Sequence, residues 1–173
     1  MKTLFLDDVA SELGRIVLVT DGVALCALDF AEAQTRMMTG LEKRFGAVQW
    51  VSQADPQGFS GCLRAYLAGE LTHLQTLPVN PGGTPFQQQV WLTLRSIPVG
   101  TVITYADLAQ RVGKPTAYRA VGMANGQNPI AIALPCHRVI GSNRQLTGYS
   151  GGLARKRWLL QHEGVCLERD RPA

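Results

Sequence analysis

The alternation of apolar and polar positions in the first 80 residues predicts a small α/β domain. Two β-rich runs flank Asp21-Gly22, a dipeptide that is typical of a two-residue hairpin turn. Elsewhere in this half, apolar residues recur at helical spacing, with one further β-rich run between them. The predicted strands cover 15–20, 23–30 and 48–52, and the predicted helices cover 31–45 and 59–68.

Proline and glycine cluster over residues 77–83 and predict a linker. A chain of 173 residues is long enough for two small domains. We therefore place a boundary near residue 80, with the α/β domain over 1–80 and a second domain over 81–173.

The second half carries the start signals of short helices. Thr84 precedes Pro85 and is followed three residues on by Gln87, and Thr104 stands in the same relation to Asp107. Both patterns predict a capping box, in which side chains satisfy the free backbone groups at a helix start. The first of these helices carries an apolar stripe whose tryptophan, Trp91, we expect in the core.

Two short helices are predicted to form a helix-turn-helix. The first covers 104–112 and stops at Gly113, and the second covers 117–125 with Thr116 as its cap. Small residues on the second helix would allow close approach to a narrow groove of DNA, with Arg119 near its N-terminal end. A helix pair in an ordinary core gives the same pattern, so this pattern alone leaves both interpretations open.

A last helix is predicted over 153–162, after a glycine-rich loop at 148–152. We expect an apolar side with Leu153, Trp158 and Leu159, opposite a basic side with Arg155, Lys156 and Arg157. Gly164 is the predicted C-terminal cap. Glu163 lies where the helix dipole disfavours a carboxylate, so it is either paired with a compensating group or simply solvated.

Composition indicates a packed globular protein, since 46% of residues are apolar and 17% are charged. No run of apolar residues is long enough for a membrane span, and the acidic residues that follow a short apolar N-terminus are unlike a signal peptide. The cysteines form neither a CxxC pair nor a Cys/His cluster, so we expect no disulfide framework, no metal site and a cytoplasmic location.

The charge is distributed unevenly between the halves. Residues 1–80 carry six Lys/Arg against nine Asp/Glu, whereas residues 81–173 carry eleven against four. A basic half predicts a polyanionic partner, and nucleic acid is the first candidate.

Of the four cysteines, only Cys136 is followed directly by cationic side chains, His137 and Arg138. Neighbouring His and Arg favour the thiolate, which is the nucleophilic form of cysteine. A buried structural cysteine is the alternative interpretation of such a dipeptide. The other three, Cys26, Cys62 and Cys166, have neighbours typical of core or surface.

Several motifs together resemble the O6-alkylguanine-DNA alkyltransferases, in their short bacterial form. The resemblance covers about half of the chain, from 84 to 164, and its most specific part is the motif at 135–139. The remaining matching residues are Tyr105, Arg119, Asn128-Pro129, the segment 148–153 and the segment 162–164. The resemblance implies a small ribonuclease H-like α/β domain, followed by a mostly α-helical domain with a winged-helix-like helix-turn-helix.

The resemblance also implies the catalytic residues. Cys136 would be the nucleophile and the final alkyl acceptor, and His137 would remove its proton through a water, with Glu163 orienting the imidazole. Tyr105 would donate to the leaving base. Asn128 would tie the second helix of the helix-turn-helix to the active-site loop. The stable thioether implies single turnover, as a methylated-DNA–protein-cysteine S-methyltransferase, without a cofactor. Arg138 is left with a structural role at most.

The implied partner is double-stranded DNA that contains O6-alkylguanine, with O4-alkylthymine as a further substrate and the damaged nucleotide flipped out of the duplex. Arg119 would enter the base stack in its place. Whether the protein associates with itself along DNA stays open. The implied substrate-binding residues are Ser150, Tyr149, Val139 and Lys156, with the carbonyls of Cys136 and Val139 as acceptors for the guanine amino group. The implied DNA-binding residues are Arg119, Tyr118, Ala120, Thr116 and Asn125.

Other functions are less well supported by these residues. A non-catalytic alkyltransferase-like protein that binds DNA damage is the main alternative, and the presence of Cys136 argues against it. A self-alkylated transcription regulator would need a cysteine-rich zinc domain, for which this chain lacks the cysteines. A cysteine hydrolase could use the same Cys–His–Glu chemistry, but it would not explain Arg119 or the basic half.

Overall fold

The computed structural model describes residues 1–167. The chain divides into two compact units. The first contains residues 1–83 together with 129–133, and the second contains residues 84–128 and 134–167.

The first unit is built on a four-stranded sheet in the order β3-β2-β1-β4. The pairs β1–β2 and β2–β3 are antiparallel, whereas β1 and β4 are parallel. Leu4, Val19 and Leu41 are among the buried residues that pack α1 against this sheet. The elements are β1 (Lys2–Val9), β2 (Ile16–Thr20), β3 (Leu25–Phe30), α1 (Gln34–Phe45), β4 (Val48–Ser52) and α2 (Phe59–Leu67).

The strand β1 has no counterpart among the predicted elements. The two successive aspartates at 7 and 8 interrupt the alternation of apolar and polar residues that would predict a strand, although Leu4 and Val9 are buried. The Asp7 carboxylate accepts hydrogen bonds from the Ser60 hydroxyl and the Asp55 backbone N–H. A carboxylate is therefore satisfied in the middle of this strand by groups far along the chain.

The predicted hairpin is present, but the two-residue turn at Asp21-Gly22 is wrong. Thr20 pairs with Leu25, so four residues form the loop and the second strand begins at Leu25. The Asp21 side chain accepts hydrogen bonds from the N–H groups of Val23 and Ala24. These bonds favour the longer loop over the tight turn.

The apolar segment 129–133 lies beside β3 in the first unit. The Leu28 N–H donates to the Pro129 carbonyl at 3.0 Å, and the Ala131 N–H donates to the Leu28 carbonyl at 2.8 Å. This pairing has no local signal in the sequence, because it joins residues about a hundred positions apart.

The second unit is mostly helical. A two-stranded parallel sheet joins β5 to β6, and α4 packs against α5 as the helix-turn-helix pattern predicts. The elements are α3 (Pro85–Leu94), β5 (Ile103–Thr104), α4 (Tyr105–Arg111), α5 (Tyr118–Gly126), β6 (Val139–Ile140) and α6 (Leu153–His162).

Both predicted capping boxes are confirmed, at Thr84 with Gln87 and at Thr104 with Asp107. The predicted cap at Thr116 is wrong, because α5 begins after Ala117 and no side chain caps it. Trp91 is buried as predicted, and its indole N–H donates to the Ala124 carbonyl at 2.7 Å. This bond joins α3 to α5.

The predicted faces of α6 are partly wrong. Lys156 is fully buried along with Leu159 and Leu160, whereas Leu153 is 48% exposed. The predicted glycine after the helix is confirmed, since Gly164 has a φ of 87°. Within residues 1–167, no helix combines the length and the apolar character needed to cross a bilayer.

Candidate active site

Cys136 begins a single 3-10 turn, Cys136–Arg138, that leads into β6. The residue before it is Pro135, and the Cys136 N–H donates across it to the Leu134 carbonyl at 2.8 Å. Every residue from 130 to 140 is buried, and Cys136 itself is 6% exposed. The thiol is therefore held in a tightly folded segment of backbone.

His137 and Glu163 form a buried pair. The His137 Nε2 lies 2.8 Å from the Glu163 Oε1, and neither side chain is exposed. Glu163 follows α6 directly, so the end of that helix brings the carboxylate to the turn that carries Cys136. Glu163 is thus the paired carboxylate, and the solvated alternative is wrong.

Arg138 binds the same carboxylate at both oxygens. Its Nε donates to Oε2 of Glu163 at 2.9 Å, and its Nη2 donates to Oε1 at 2.9 Å. Its Nη1 donates to the Ile97 carbonyl at 2.7 Å. We expected at most a structural role for Arg138. The sequence does contain a signal for this pairing. Arg138 lies in a run of mostly apolar residues, and a charged residue that is buried with such a run needs a buried partner.

Protonation in this cluster follows from the hydrogen bonds. Burial alone would raise the pKa of Glu163, but hydrogen bonds from His137 and Arg138 outweigh it and lower the pKa to about 2. Because Glu163 is a carboxylate, the network assigns the proton of the neutral imidazole to Nε2. The lone pair is then on the His137 Nδ1, which is buried and has no hydrogen-bond partner among the described residues.

Burial lowers the pKa of His137, and the Glu163 carboxylate opposes that effect. The positive charges of Arg138 and Lys156 lower it further. The resting imidazole is therefore neutral and able to accept a proton at Nδ1.

Lys156 holds two backbone segments together. Its buried Nζ donates to the Val139 carbonyl at 2.6 Å and to the Thr147 carbonyl at 2.7 Å. Burial lowers the pKa of Lys156 to about 8, while the negative form of Cys136 opposes the shift. The predicted substrate-binding residues Lys156 and Val139 are thus bonded to each other in this structure.

Tyr105 starts α4 and reaches the same loop, since its hydroxyl donates to the Thr147 carbonyl at 3.3 Å. Burial raises the pKa of Tyr105, hydrogen bonds with Thr147 and Asn125 oppose the rise, and the charge of Cys136 adds to it. Tyr105 therefore stays a proton donor over a wide pH range.

Two asparagines connect α5 to the cysteine segment. Asn128 donates its Nδ2 to the Leu134 carbonyl at 2.7 Å, which matches the predicted tie between helix and loop. Asn125, which we expected to line a DNA groove, is 3% exposed instead. Its Nδ2 lies 3.4 Å from the Cys136 carbonyl, so it contacts the site from inside the protein.

The other predicted DNA-binding residues lie on the N-terminal part of α5 or just before it. Thr116, Tyr118, Arg119 and Ala120 are all exposed. The Arg119 guanidinium lies 6.0 Å from the centroid of the Tyr118 ring. Met123, which we did not predict as a contact, is 68% exposed one turn further along the helix.

The predicted substrate-binding loop contains Tyr149, which is half-buried, and Ser150, which is exposed. The loop begins at Gly148, whose φ of 54° favours glycine. A Cβ at that position would lie 3.4 Å from the Tyr105 hydroxyl oxygen. Glycine thus lets the loop pass close to Tyr105.

No group of three or more His, Cys, Asp or Glu side chains over residues 1–167 could hold a metal ion. The groups that the described residues bring to Cys136 are an imidazole with a free lone pair, a buried carboxylate and a phenol. The site adjoins α5, whose exposed N-terminal end carries Arg119. This combination suits proton removal from Cys136 and attack by its thiolate on an electrophilic carbon.

Two family models match the chain. Residues 5–81 match the 6-O-methylguanine DNA methyltransferase ribonuclease-like domain. Residues 85–165 match the 6-O-methylguanine DNA methyltransferase DNA-binding domain.

Individual proteins match over nearly the whole length. The methylated-DNA–protein-cysteine methyltransferase of Shigella flexneri is 46% identical over 170 residues, which are 96% of this chain and 99% of that protein. The crystal structure of the Mycobacterium tuberculosis O6-methylguanine methyltransferase is 38% identical, with a TM-score of 0.78 over 98% of this chain and 96% of that chain. The structure of the Mycobacterium tuberculosis OGT in complex with DNA is 39% identical, with a TM-score of 0.78 over 99% of this chain and 96% of that chain.

Proposed function

The chain belongs to the 6-O-methylguanine DNA methyltransferase family, and on that premise we propose a role for each residue of its site. The protein repairs DNA by moving an alkyl group from O6-alkylguanine in double-stranded DNA to one of its own cysteines. We assign Cys136 as the acceptor. The observation that carries this assignment is the 2.8 Å bond between Glu163 and the imidazole of the residue next to Cys136.

The reaction begins with a proton transfer. The His137 Nδ1 takes the proton of the Cys136 thiol, by way of a water molecule, and becomes part of an imidazolium that Glu163 stabilises through Nε2. The Cys136 thiolate then attacks the alkyl carbon, and the bond between that carbon and O6 of guanine breaks. The electron pair of the broken bond leaves with the base, and the Tyr105 hydroxyl donates to the charge that develops there.

The target base must leave the duplex before the buried thiol can reach it. We assign Arg119 as the side chain that occupies the vacated place in the stack. Three further residues are exposed on or beside the same end of α5, and we assign them as contacts to the DNA groove: Thr116, Tyr118 and Ala120. The small side chain of Ala120 lets the helix approach a narrow groove closely. This gives residues 81–173 both the DNA-binding and the alkyl-accepting functions.

The loop residues position the flipped base. Ser150 is the donor toward the base oxygen, and Tyr149 forms part of the wall. The carbonyls of Cys136 and Val139 accept from the guanine amino group with their second lone pairs. Lys156 contributes indirectly, because its two hydrogen bonds hold the Val139 carbonyl in place beside the loop.

Two asparagines join the segment that carries Cys136 to the end of the DNA-binding helix. Asn125, near the end of α5, holds the Cys136 carbonyl, and Asn128, two residues after the helix, holds the Leu134 carbonyl. A shift of the cysteine segment on alkylation would therefore reach the DNA-binding helix directly. We also propose a cytoplasmic location, because the acceptor must remain a reduced thiol.

The product is a thioether, which is chemically stable, and we propose that each molecule reacts once. The test is incubation with an oligonucleotide containing O6-methylguanine, followed by mass spectrometry of the peptide that contains Cys136. We expect one added methyl group per protein molecule. An unmodified Cys136, or transfer of more than one methyl group per molecule, would contradict the mechanism.

The matched control is Cys136→Ser, which should keep DNA binding but accept no methyl group. A second control, Cys62→Ser, changes a cysteine of the other unit and should leave the transfer intact. If the wild-type protein binds the damaged oligonucleotide yet stays unmodified, the non-catalytic damage-binding alternative becomes the better description.

A further inference from the structure

Arg138 is a fully buried guanidinium, with 1% of its surface exposed. Two of its nitrogens bind the two oxygens of Glu163, and the third binds the Ile97 carbonyl. A two-point bond of this kind fixes the carboxylate in one plane. The same Oε1 that accepts from Arg138 also lies 2.8 Å from the His137 Nε2.

We propose that Arg138 is a positioning residue that keeps the His137 imidazole unprotonated in the resting protein by sharing its carboxylate partner. The proposal rests on the proposed role of His137 as the base that takes the proton of Cys136. It gives Arg138 a function in the reaction, although Arg138 touches neither the substrate nor the thiol proton.

The argument begins with the charges of the buried cluster. With Arg138 present, its positive charge and the negative charge of Glu163 balance, so a neutral His137 completes a neutral group. Without Arg138, the buried Glu163 carboxylate would keep its hydrogen bond to His137 but lose the guanidinium that balances its charge, and a buried charge of this kind is very costly. The His137–Glu163 pair would then hold an extra proton to restore neutrality.

An extra proton on this pair would block the first chemical step. In the imidazolium form both ring nitrogens carry hydrogen, so the Nδ1 has no lone pair for the Cys136 proton. With Arg138 in place, the proton leaves sulfur for Nδ1, and the new positive charge on His137 is balanced by the new negative charge on the thiolate. Arg138 thus keeps the His137 Nδ1 unprotonated in the resting protein, so that this nitrogen can accept the proton of Cys136.

Other charged groups around His137 do not substitute for Arg138. On its own turn His137 has Cys136, and the end of α6 presents Glu163. Lys156, also on α6, adds a positive charge that lowers the pKa of His137, but its Nζ binds the carbonyls of Val139 and Thr147. The helix α3 packs against the turn but has no ionisable side chain in its sequence. Tyr105 of α4 is a phenol that interacts electrostatically with Cys136.

The first test is the pH dependence of single-turnover methyl transfer for the wild type, Arg138→Met and Arg138→Lys. For Arg138→Met we expect the acid limb of the profile to move to higher pH by about one unit or more, with the rate recovering in alkaline solution. Arg138→Lys keeps a charge beside Glu163 and should restore most of the wild-type profile. A uniform loss of rate at every pH would overturn the proposal, because that is the effect of a purely structural residue.

The double variant Arg138→Met/Glu163→Gln separates the charge argument from simple packing. It removes both charges together, so nothing draws an extra proton onto His137. We expect its acid limb to return to the wild-type position or below, even where the rate is lower. A limb displaced as far as in Arg138→Met alone would overturn the proposal. This variant also keeps the test available if Arg138→Met alone does not fold.

A third measurement does not depend on alkyl transfer. The chain has three histidines, so NMR titration with His73→Gln and His162→Gln variants assigns the signals of His137. We expect the pKa of His137 to rise by about one unit or more in Arg138→Met. An unchanged pKa would overturn the role of Arg138. A raised pKa in Arg138→Met, together with a wild-type protein that transfers no methyl group at any pH, would instead overturn the proposed function.

Discussion

The Nζ of Lys156 lies 2.6 Å from the carbonyl oxygen of Val139, in a position where the lysine side chain is completely buried. A buried ammonium is expensive, and two carbonyl groups stabilise it here. One of these carbonyls follows the cysteine turn and the other precedes the loop that contains Ser150. Lys156 therefore fixes the two backbone segments that we propose as walls of the base-binding site.

The pKa of Lys156, lowered from 10.5 to about 8, makes the stability of the protein depend on alkaline pH. Between these values the unfolded chain binds the proton that the folded protein has released, so the free energy of unfolding gains a contribution as pH rises. Over the whole interval this contribution is about 3 kcal/mol. Lys156→Met should lack it, as measured by urea unfolding at several pH values.

The matched control for Lys156 is Lys114→Met, which changes an exposed lysine of the same unit. Its stability should follow pH as that of the wild type does. If Lys156→Met shows the wild-type increase in stability, the ammonium of Lys156 is not buried as described. The same variant should also slow methyl transfer, because the Val139 and Thr147 carbonyls lose their common donor.

His137 and Glu163 make the protein sensitive to acid. The pKa of His137 is below its ordinary 6.5, so as pH falls through 6.5 the unfolded chain gains a proton that the folded protein does not, and stability is lost. Glu163, with a pKa of about 2 against an ordinary 4.5, causes a second loss as pH falls from 4.5 toward 2.

The first of these losses can be isolated with His137→Gln. As pH falls from neutral through 6.5, the wild type should lose more unfolding free energy than His137→Gln does, because only the wild type holds a histidine whose pKa is lowered by folding. Unfolding by urea at a pH above and a pH below 6.5 measures the difference. His73→Gln, at an exposed site, should behave as the wild type. Equal acid sensitivity in all three proteins would mean that His137 titrates normally in the folded state.

Arg119→Ala should weaken the extrusion of the damaged base more than general DNA binding. A flipped nucleotide costs a few kcal/mol of unstacking, and the arginine side chain offsets part of that cost by filling the gap. We expect binding to DNA with O6-methylguanine to fall about tenfold, with a smaller effect on undamaged DNA. Fluorescence of a 2-aminopurine at the target position would report the flipped state directly.

Arg36→Ala is the control for Arg119, since it removes an exposed arginine from the first unit. It should leave both the affinity and the fluorescence signal unchanged. If Arg36→Ala and Arg119→Ala reduce binding to damaged and undamaged DNA equally, the role of Arg119 in flipping is wrong and only its charge contributes.

The two threonines before α4 and α5 should differ in their effect on stability. Thr104 accepts a hydrogen bond from the Asp107 N–H at 3.1 Å and forms a complete capping box, whereas Thr116 caps nothing. We expect Thr104→Ala to lower the free energy of unfolding by about 1 kcal/mol and Thr116→Ala to change it by much less. Thermal or urea unfolding of the two variants is sufficient. Equal losses would contradict the observed start of α5.

Much of the secondary structure could be predicted because its signals are local. The boxes at Thr84 and Thr104 each depend on residues three positions apart, and β4 is found over 48–52 as expected. The errors also have local causes. The Asp21 side chain stabilises a longer loop than the Asp-Gly dipeptide suggests, and the hydroxyl of Thr116 is one residue too early to cap α5.

By itself, the sequence predicted a boundary near residue 80, the helix starts at Thr84 and Thr104, and a nucleophilic role for Cys136 beside His137, because each signal comes from neighbouring residues or from composition. Only the tertiary structure decided which charges are buried together. It placed Arg138 and His137 on one carboxylate 25 and 26 residues away, buried Lys156, and turned Asn125 toward Cys136. The physical reason is that the cost of burying a polar group depends on the partner it finds there, and that partner is chosen by long-range packing.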